Sequence, residues 1–494
     1  MHDLVEEAAR RHGERVFIRA GGQAWTFADI DAMANAFARH LASVGVAAGD
    51  RVAMMLTNRV EFLPVATAIA RLGAAAVLLS PAWRSVEVGH AIDLTAPVHA
   101  VADGPAVGLL APLDVTDLDD AAVLGAAFAH PRDPIDTSGV HDADDYVLVF
   151  SSGTTGLPKA VRHTHESMAH AVRHWVEVLD LGPGDRFQVA TPPSHILGLL
   201  NLVTAAAAGA SIRLHARFDL DEVLRRIESD RITLEMAVAP IALALANHPR
   251  LEDFDLSSLR YIMWGATPVT PAVAEAVTAR TGVRWLPAYG ASELPVLACN
   301  PARSPDRWRL DSAGLPPDGV ELRVVDLDTG AELPPGEVGE IQARSPSVMA
   351  GYLPESATAD AFADGWYRTG DVGWLEPDGW VHLTDRSKEM IKVSGFQVAP
   401  AEIEGVLHAH PSVLDCAVFG VPDERAGEVP VAAVRLDPAR PVDVDELRRV
   451  VADSLATYKQ LRDIVVVDVV PRLPSGKVLR RTLRDDWLRA HAQA

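Results

Sequence analysis

Four short apolar runs in this chain each pass directly into a polar or glycine-rich turn, and this repeated pairing constrains the architecture most. Val147-Leu148-Val149-Phe150 enters Ser151-Ser152-Gly153, and Phe187-Gln188-Val189-Ala190 enters Thr191-Pro192-Pro193-Ser194-His195. Arg260-Tyr261-Ile262-Met263-Trp264 enters Gly265-Ala266-Thr267-Pro268, and Arg284-Trp285-Leu286-Pro287-Ala288 enters Tyr289-Gly290-Ala291-Ser292-Glu293. Each reads as a strand followed by a turn, with alanine-rich helical stretches between them. Strands alternating with helices predict layered α/β subdomains, in which ligands gather where strand ends meet loops. The run Leu197 to Leu214 is broken by Asn201, Thr204 and Ser211 and reads as buried helix and strand rather than a membrane span.

The pattern changes twice further on. From Leu315 to Leu383 short strands with Pro/Gly turns predict a small β-rich subdomain. After Asp385 the segments 401–408, 413–419, 431–436, 443–455 and 464–470 predict a separate α+β unit. Its length of about 105 residues suffices for a domain, and a chain of 494 residues exceeds a single core. The expected division is an N-terminal domain over 1–385, a hinge at 386–388 and a mobile C-terminal domain over 389–494.

Lysine is confined to five positions, Lys159, Lys388, Lys392, Lys459 and Lys477, while arginine supplies the other cations. Four of the five lie in loops rich in Gly, Ser, Thr or Asp, where a compact mobile charge is useful. The loop Ser151-Ser152-Gly153-Thr154-Thr155-Gly156-Leu157-Pro158-Lys159 offers backbone N–H groups, hydroxyls and one ammonium, the makings of a phosphate cradle. It is not a Walker loop, because its lysine follows Leu-Pro and precedes Ala160. Lys459 beside Tyr458 reads as structural. The formal charge of −22 disfavours a nucleic-acid binder. Cys299 and Cys416 form no ligand spacing or disulfide framework, so a reducing, cytoplasmic setting is expected. The first residues have neither the basic nor the apolar region of a signal peptide.

Five motifs in order carry a resemblance. The stretch Phe150 to His165 resembles the phosphate-loop motif of the adenylate-forming superfamily, which includes acyl-CoA synthetases, nonribosomal-peptide adenylation domains and beetle luciferases. Tyr289-Gly290-Ala291-Ser292-Glu293 resembles its Tyr-Gly-x-Thr-Glu, and Trp366-Tyr367-Arg368-Thr369-Gly370-Asp371 its Trp-x-Arg-Thr-Gly-Asp. Asp385 to Glu404 resembles its hinge motif, and Pro474-Ser475-Gly476-Lys477 its terminal lysine motif. The resemblance spans about Thr26 to Leu483 and is nearest to acyl-CoA synthetases and 4-coumarate–CoA ligase-like enzymes.

The resemblance implies that a carboxylate attacks the α-phosphate of ATP, giving an acyl-adenylate, and that a thiol then takes the acyl group. Ser151, Ser152, Gly153, Thr154, Thr155, Gly156 and Lys159 would hold the β- and γ-phosphates, and Glu293 would ligate Mg²⁺. Ser292 would reach an α-phosphate oxygen. Tyr289 and Gly290 would face the adenine opposite Gly265, Ala266 and Thr267. Asp371 would take the ribose hydroxyls, with Arg386 in support. Lys477 would stabilise charge in the adenylation transition state. Lys388 would be the pivot for domain rotation. Lys392, Ser394, Gly395, Phe396 and Gln397 would then serve coenzyme A.

His195, Leu199, Trp264, Gly265, Gly290, Pro295 and Val296 would line the acyl pocket, with His195 at the carboxylate. Apolar Ile196 to Leu200 favours an aryl or medium-chain fatty acid, and no aspartate between Ser194 and Asn201 is present to hold a substrate ammonium. Trp264 either narrows this pocket or points away into the core. Ser292 to Leu297 is one residue shorter than the plant 4-coumarate–CoA ligase pattern, and Ser394 replaces a lysine of many plant relatives. The expectation is an acid–CoA ligase; the alternatives are a ligase loading an acyl carrier protein and an inactive nucleotide-binding protein.

Overall fold

The computed structural model describes residues 1–151, 158–265, 269–386, 389–393, 396–423, 425–473 and 476–491, with the side chains of Arg386 and Gln397 outside that set. Its described residues form four sheets. The eight-stranded sheet runs Ala298–Cys299, Trp285–Tyr289, Tyr261–Trp264, Leu234–Ala237, Arg186–Val189, Ser211–Leu214, Val16–Ala20 and Gln23–Thr26. Its inner pairings are parallel. Parallel neighbours align their C-terminal ends, so the turns after Val189, Ala237, Trp264 and Tyr289 emerge along one edge.

The seven-stranded sheet runs Gly351–Leu353, Lys159–Thr164, Asp145–Ser151, Ala75–Leu78, Arg51–Met55, His99–Ala102 and Val115–Asp117. The chain starts in the first sheet, builds most of the second, and returns to the first from residue 186. The two sheets are thereby interleaved. Their common core includes Phe17, Ile18, Val52, Met54, Val147, Val161, Phe187, Met236, Met263 and Leu286.

The helix Ile196–Ala208 and the strand Ser211–Leu214 occupy the apolar stretch read from sequence as buried helix and strand. No helix among the described residues is long and apolar enough to cross a membrane. The expected β-rich subdomain is a five-stranded antiparallel sheet built from Glu321–Val325, Gly339–Arg344, Trp366–Leu375, Phe362–Ala363 and Val381–Arg386. The small C-terminal unit packs Pro400–His408, Val444–Ser454 and Arg480–His491 on a sheet whose long hairpin is Val413–Asp423 and Gly427–Leu436.

Trp264 corrects the pocket reading. Successive strand residues face opposite sides of a sheet. Met263 enters the common core, whereas Trp264 is 1% exposed in a second core with Val223, Leu224 and Trp285. The Trp264 and Trp285 rings lie 5.1 Å apart. Truncating a buried aromatic leaves a cavity, so Trp264→Ala is expected to cost about 3–5 kcal/mol of stability. The folded variant should keep the parent's acid preference. Denaturant unfolding with an acid-preference profile checks both; a stable variant that accepts bulkier acids would return Trp264 to the pocket.

Candidate functional site

The strand-end edge of the eight-stranded sheet collects the groups with chemistry. Tyr289 ends its strand buried, and its hydroxyl donates to Asp371 Oδ2 at 2.6 Å. Asp371 lies on the strand Trp366–Leu375, opposite Arg386 in the antiparallel pairing. Thr369 turns its hydroxyl to Ile341 O and accepts the Asp371 N–H at 3.0 Å, fixing the carboxylate from behind. Gly290 follows Tyr289 so closely that an added Cβ would stand 2.1 Å from the Pro295 carbonyl. That approach folds the 290–295 turn back on itself, with Ala291 N donating to Leu294 O at 2.9 Å.

Glu293 is 9% exposed and is held from two sides. Tyr352 Oη donates to its Oε1 at 2.8 Å, and its backbone carbonyl accepts from Met349 N at 2.8 Å. The neighbouring Ser292 carbonyl accepts from His163 Nε2 at 2.7 Å. Burial lowers the His163 pKa to about 4, with the Ser292 bond pulling the other way, so this ring is a neutral donor at pH 7. His163 lies on the strand that begins at Lys159, and Lys159 pairs with Ser151 across the base of the glycine-rich loop. The Lys159 ammonium stands 5.1 Å from the centre of the Tyr352 ring. Tyr367 is deeply buried; burial first, then nearby Glu293, Tyr352, Asp371 and Tyr289, raises its pKa well above the usual phenol value. Three tyrosines thus surround two carboxylates.

Among the described residues no three His, Cys, Asp or Glu gather as a metal cage. A single, well-held carboxylate fits a magnesium ion that takes its other ligands from water and nucleotide phosphates. The donor set is therefore compatible with Mg²⁺ at Glu293.

Of the residues expected to line an acyl pocket, His195 caps Ile196–Ala208, accepting the Leu197 N–H on Nδ1 at 3.3 Å, and burial lowers its pKa so the ring is neutral. Leu199 and Val296 belong to the common core, and Gly265 and Pro295 are buried beside the same strand ends.

The turn that carries Lys477 comes to this edge from the small C-terminal unit. Its loop is a tight turn in which Leu473 N donates to Lys477 O and Gly476 N to Leu473 O, both at 2.8 Å. Gly476 adopts φ +85°, and a Cβ there would lie 3.0 Å from Pro240 Cδ and 3.3 Å from Val238 Cβ. The turn is thus seated just beyond the strand Leu234–Ala237. Arg472 braces it: one nitrogen donates to Gly476 O at 3.0 Å while two others grip Asp415. Lys477 Nζ lies 3.5 Å from Glu389, which also binds Arg480.

The remaining coenzyme and hinge residues lie elsewhere. Lys392 is exposed on Ile391–Val393, and Phe396 is 54% exposed with its ring stacked 4.5 Å from Tyr458. Lys459 pairs with Glu402 at 2.5 Å, in keeping with a structural role. Ser152, Gly153, Thr154, Thr155, Gly156, Ala266, Thr267, Lys388, Ser394 and Gly395, with the side chains of Arg386 and Gln397, lie outside the described residues. Sequence reasoning gave no role to Tyr352 or Arg472, and none to His163 although it lies within the Phe150–His165 motif. Tyr352 and Arg472 carry no motif of their own, and for all three only their contacts with Glu293, Ser292 and Gly476 reveal what they do.

The comparisons give the class, an AMP-forming acid–CoA ligase. The chain belongs to the AMP-binding enzyme family, whose profile matches residues 5–353, and the AMP-binding enzyme C-terminal domain matches 402–477. Among its relatives is 4-coumarate–CoA ligase 5 of Oryza sativa subsp. japonica, 35% identical over 98% of this chain and 94% of that protein. The 4-coumarate–CoA ligase of Pinus taeda is 33% identical over 98% and 94%. The anthranilate CoA ligase AuaEII in complex with anthranoyl-AMP superposes with a TM-score of 0.93 at 26% identity, covering 99% and 98% of the two chains. The resemblance to adenylate-forming enzymes is thus borne out, as is the α/β fold with a large N-terminal and a small C-terminal domain.

Buried histidines also set an acid limit on this fold. Burial, the largest cause in each case, lowers His163, His174 and His215 to about 4 and His165 to about 3. Between the ordinary value of 6.5 and these values the unfolded chain binds more protons than the native one. The stability that these neutral rings contribute is therefore full above about pH 6.5 and is lost as pH drops toward 4; buried Glu235, raised to about 8 by desolvation, acts in the opposite sense but is one group against four. Thermal midpoints at pH 7.5 and pH 5 should differ clearly, the lower at pH 5. Equal midpoints would contradict the buried, neutral state of these rings.

Proposed function

We propose that the protein is an ATP-dependent ligase that activates an apolar carboxylic acid as acyl-AMP and passes the acyl group to coenzyme A. The observation that carries this reading is the seat of the Lys477 turn. It rests on Val238 and Pro240, at the same strand-end edge that presents Tyr289 and, through the following turn, Glu293. The turn sets the Lys477 backbone near that edge while its ammonium rests 3.5 Å from Glu389, and a lysine swung toward the edge would stabilise the negative charge that adenylation builds.

In the first half-reaction a substrate carboxylate oxygen bonds to the α-phosphorus of ATP. The bond from that phosphorus to the bridging oxygen breaks, and pyrophosphate leaves. Tyr289 supplies a flat face for adenine, and Asp371 accepts from the ribose. Lys159 attends the outgoing phosphates, and Lys477 the attacking carboxylate. Glu293 would hold magnesium, which when bound neutralises phosphate charge. His195, neutral because it is buried, orients the acid at the carboxylate end without offering a second fixed charge. In the second half-reaction the coenzyme A sulfur bonds to the acyl carbon, its proton goes to solvent, and AMP leaves. We take 386–388 as the hinge between domains 1–385 and 389–494, with Lys388 its pivot. Lys392, Ser394, Gly395, Phe396 and Gln397 serve the thiol step from the small domain.

The core residues Leu199 and Val296 support an apolar acid, and relatives named for 4-coumarate and anthranilate favour an aryl one. Their names also support coenzyme A as acceptor over a carrier protein. The lysine, glutamate and aspartate of the motifs argue against an inactive nucleotide binder. Unpaired, buried Cys299 and Cys416 suit the reducing cytoplasm.

Acid-dependent exchange of labelled pyrophosphate into ATP, without coenzyme A, tests adenylation alone. Lys477→Ala should lower it roughly 100- to 1000-fold, the usual loss for one transition-state charge donor. Thioester formation from supplied acyl-adenylate should survive. Equal loss of both half-reactions would contradict a role for Lys477 confined to adenylation.

A further inference from the structure

We propose that Tyr352 is the positioning residue that keeps the phosphate-binding lysine and the metal-binding glutamate apart and aimed at the nucleotide. This rests on the roles proposed above for Lys159 and Glu293. Tyr352 lies on the short strand Gly351–Leu353, paired with Val161 of the strand that begins at Lys159. It is 8% exposed. Its two ends meet opposite charges: the hydroxyl donates to Glu293 Oε1 at 2.8 Å, and the ring receives Lys159 Nζ at 5.1 Å.

An ammonium and a carboxylate that both touch one ring are of opposite charge and attract each other. Paired directly, each would neutralise the charge the other needs for phosphate or metal. Glu293 takes the Tyr352 hydroxyl and Lys159 the Tyr352 ring, and among the described residues no ion pair joins the two directly. The tyrosine offers each a substitute. The negative face of the ring takes the cation, and the phenolic hydroxyl takes one lone pair of the carboxylate. Neither substitute cancels the charge it holds. The ammonium keeps its donors for phosphate oxygens, and Glu293 Oε2 is not the atom engaged by Tyr352.

The backbone around Tyr352 is itself fixed. Met349 N donates to Glu293 O, Ala350 N to Arg162 O, and Tyr352 N to Thr358 Oγ1, each at 2.8 Å. One short segment therefore locates the glutamate by main chain and by side chain, while pairing with the strand that carries the lysine. Preorganisation of this kind removes the need to break an internal ion pair before nucleotide binds.

The test is calorimetric binding of α,β-methylene-ATP, an analogue whose α–β methylene bridge cannot be cleaved to release pyrophosphate, with and without Mg²⁺. Tyr352→Phe keeps the ring and loses the hydroxyl. It should weaken Mg²⁺-dependent binding roughly 10- to 100-fold, the range for a hydrogen bond to a charged group, and leave metal-free binding unchanged. Tyr352→Leu loses both and should weaken binding in both conditions. Neither should alter thioester formation from supplied acyl-adenylate, a step a general structural defect would impair. Wild-type Mg²⁺-dependent binding by Tyr352→Phe would overturn the proposal, as would equal loss of every readout. Glu293→Gln separates the two levels. If it leaves Mg²⁺-dependent binding untouched, the metal role of Glu293 falls and the proposal with it. If it abolishes that dependence while Tyr352→Phe does not, only the proposal falls.

Discussion

The core shared by the two interleaved sheets is the constraint on which the rest depends. Because the chain enters the eight-stranded sheet at Val16–Ala20, leaves to build the seven-stranded sheet and then returns, neither sheet can bury its inner face alone. Phe17, Val52, Val147, Phe187, Met263 and Leu286 meet in one apolar layer. Dense packing there holds the strands in register and leaves their polar turns no route but outward at the ends. The site is built from those turns. Its charged groups come from three sheets: Lys159 from one, Glu293 just beyond another, and Asp371 from the β-rich subdomain.

Holding charge in such a place requires partners that restrain without neutralising. Phenols meet this need, since they donate one hydrogen bond and carry no charge at neutral pH. Tyr289 serves Asp371, and Tyr352 serves Glu293. The small domain solves a related problem differently. Arg472 spends its charge on Asp415 and uses its remaining nitrogen to shape the lysine turn, so that Lys477 itself is presented by backbone geometry.

Much of this was legible in the sequence for local reasons. Apolar runs ending in Gly, Pro or Ser turns mark strands and their ends together, so the edge bearing Tyr289 and His195 was readable. Arg186–Val189, Tyr261–Trp264 and Trp285–Tyr289 fall where those runs predict. In the first half of the chain, strands such as Ala75–Leu78 and His99–Ala102 are short and alanine-rich, so their composition alone does not separate them from the helical stretches around them. They are settled by pairing with neighbours far along the chain, which periodicity does not report. Trp264 shows the limit at single-residue scale. Its position at a strand end was clear, but which face it takes depends on register, and the structure sends it to the second core. The contacts of Tyr352, His163 and Arg472 were invisible for the same reason: each reaches a partner more than a motif's length away or across a turn.

The central claim is that this edge activates a carboxylic acid through AMP and hands it to a thiol. Mass spectrometry of the protein incubated with ATP, Mg²⁺, coenzyme A and a pool of aryl and aliphatic acids tests it most directly. The account predicts AMP together with an acyl-CoA, formed from an apolar acid and most readily an aryl one. ADP as the nucleotide product, or no acid-dependent cleavage of ATP across the pool, would contradict it.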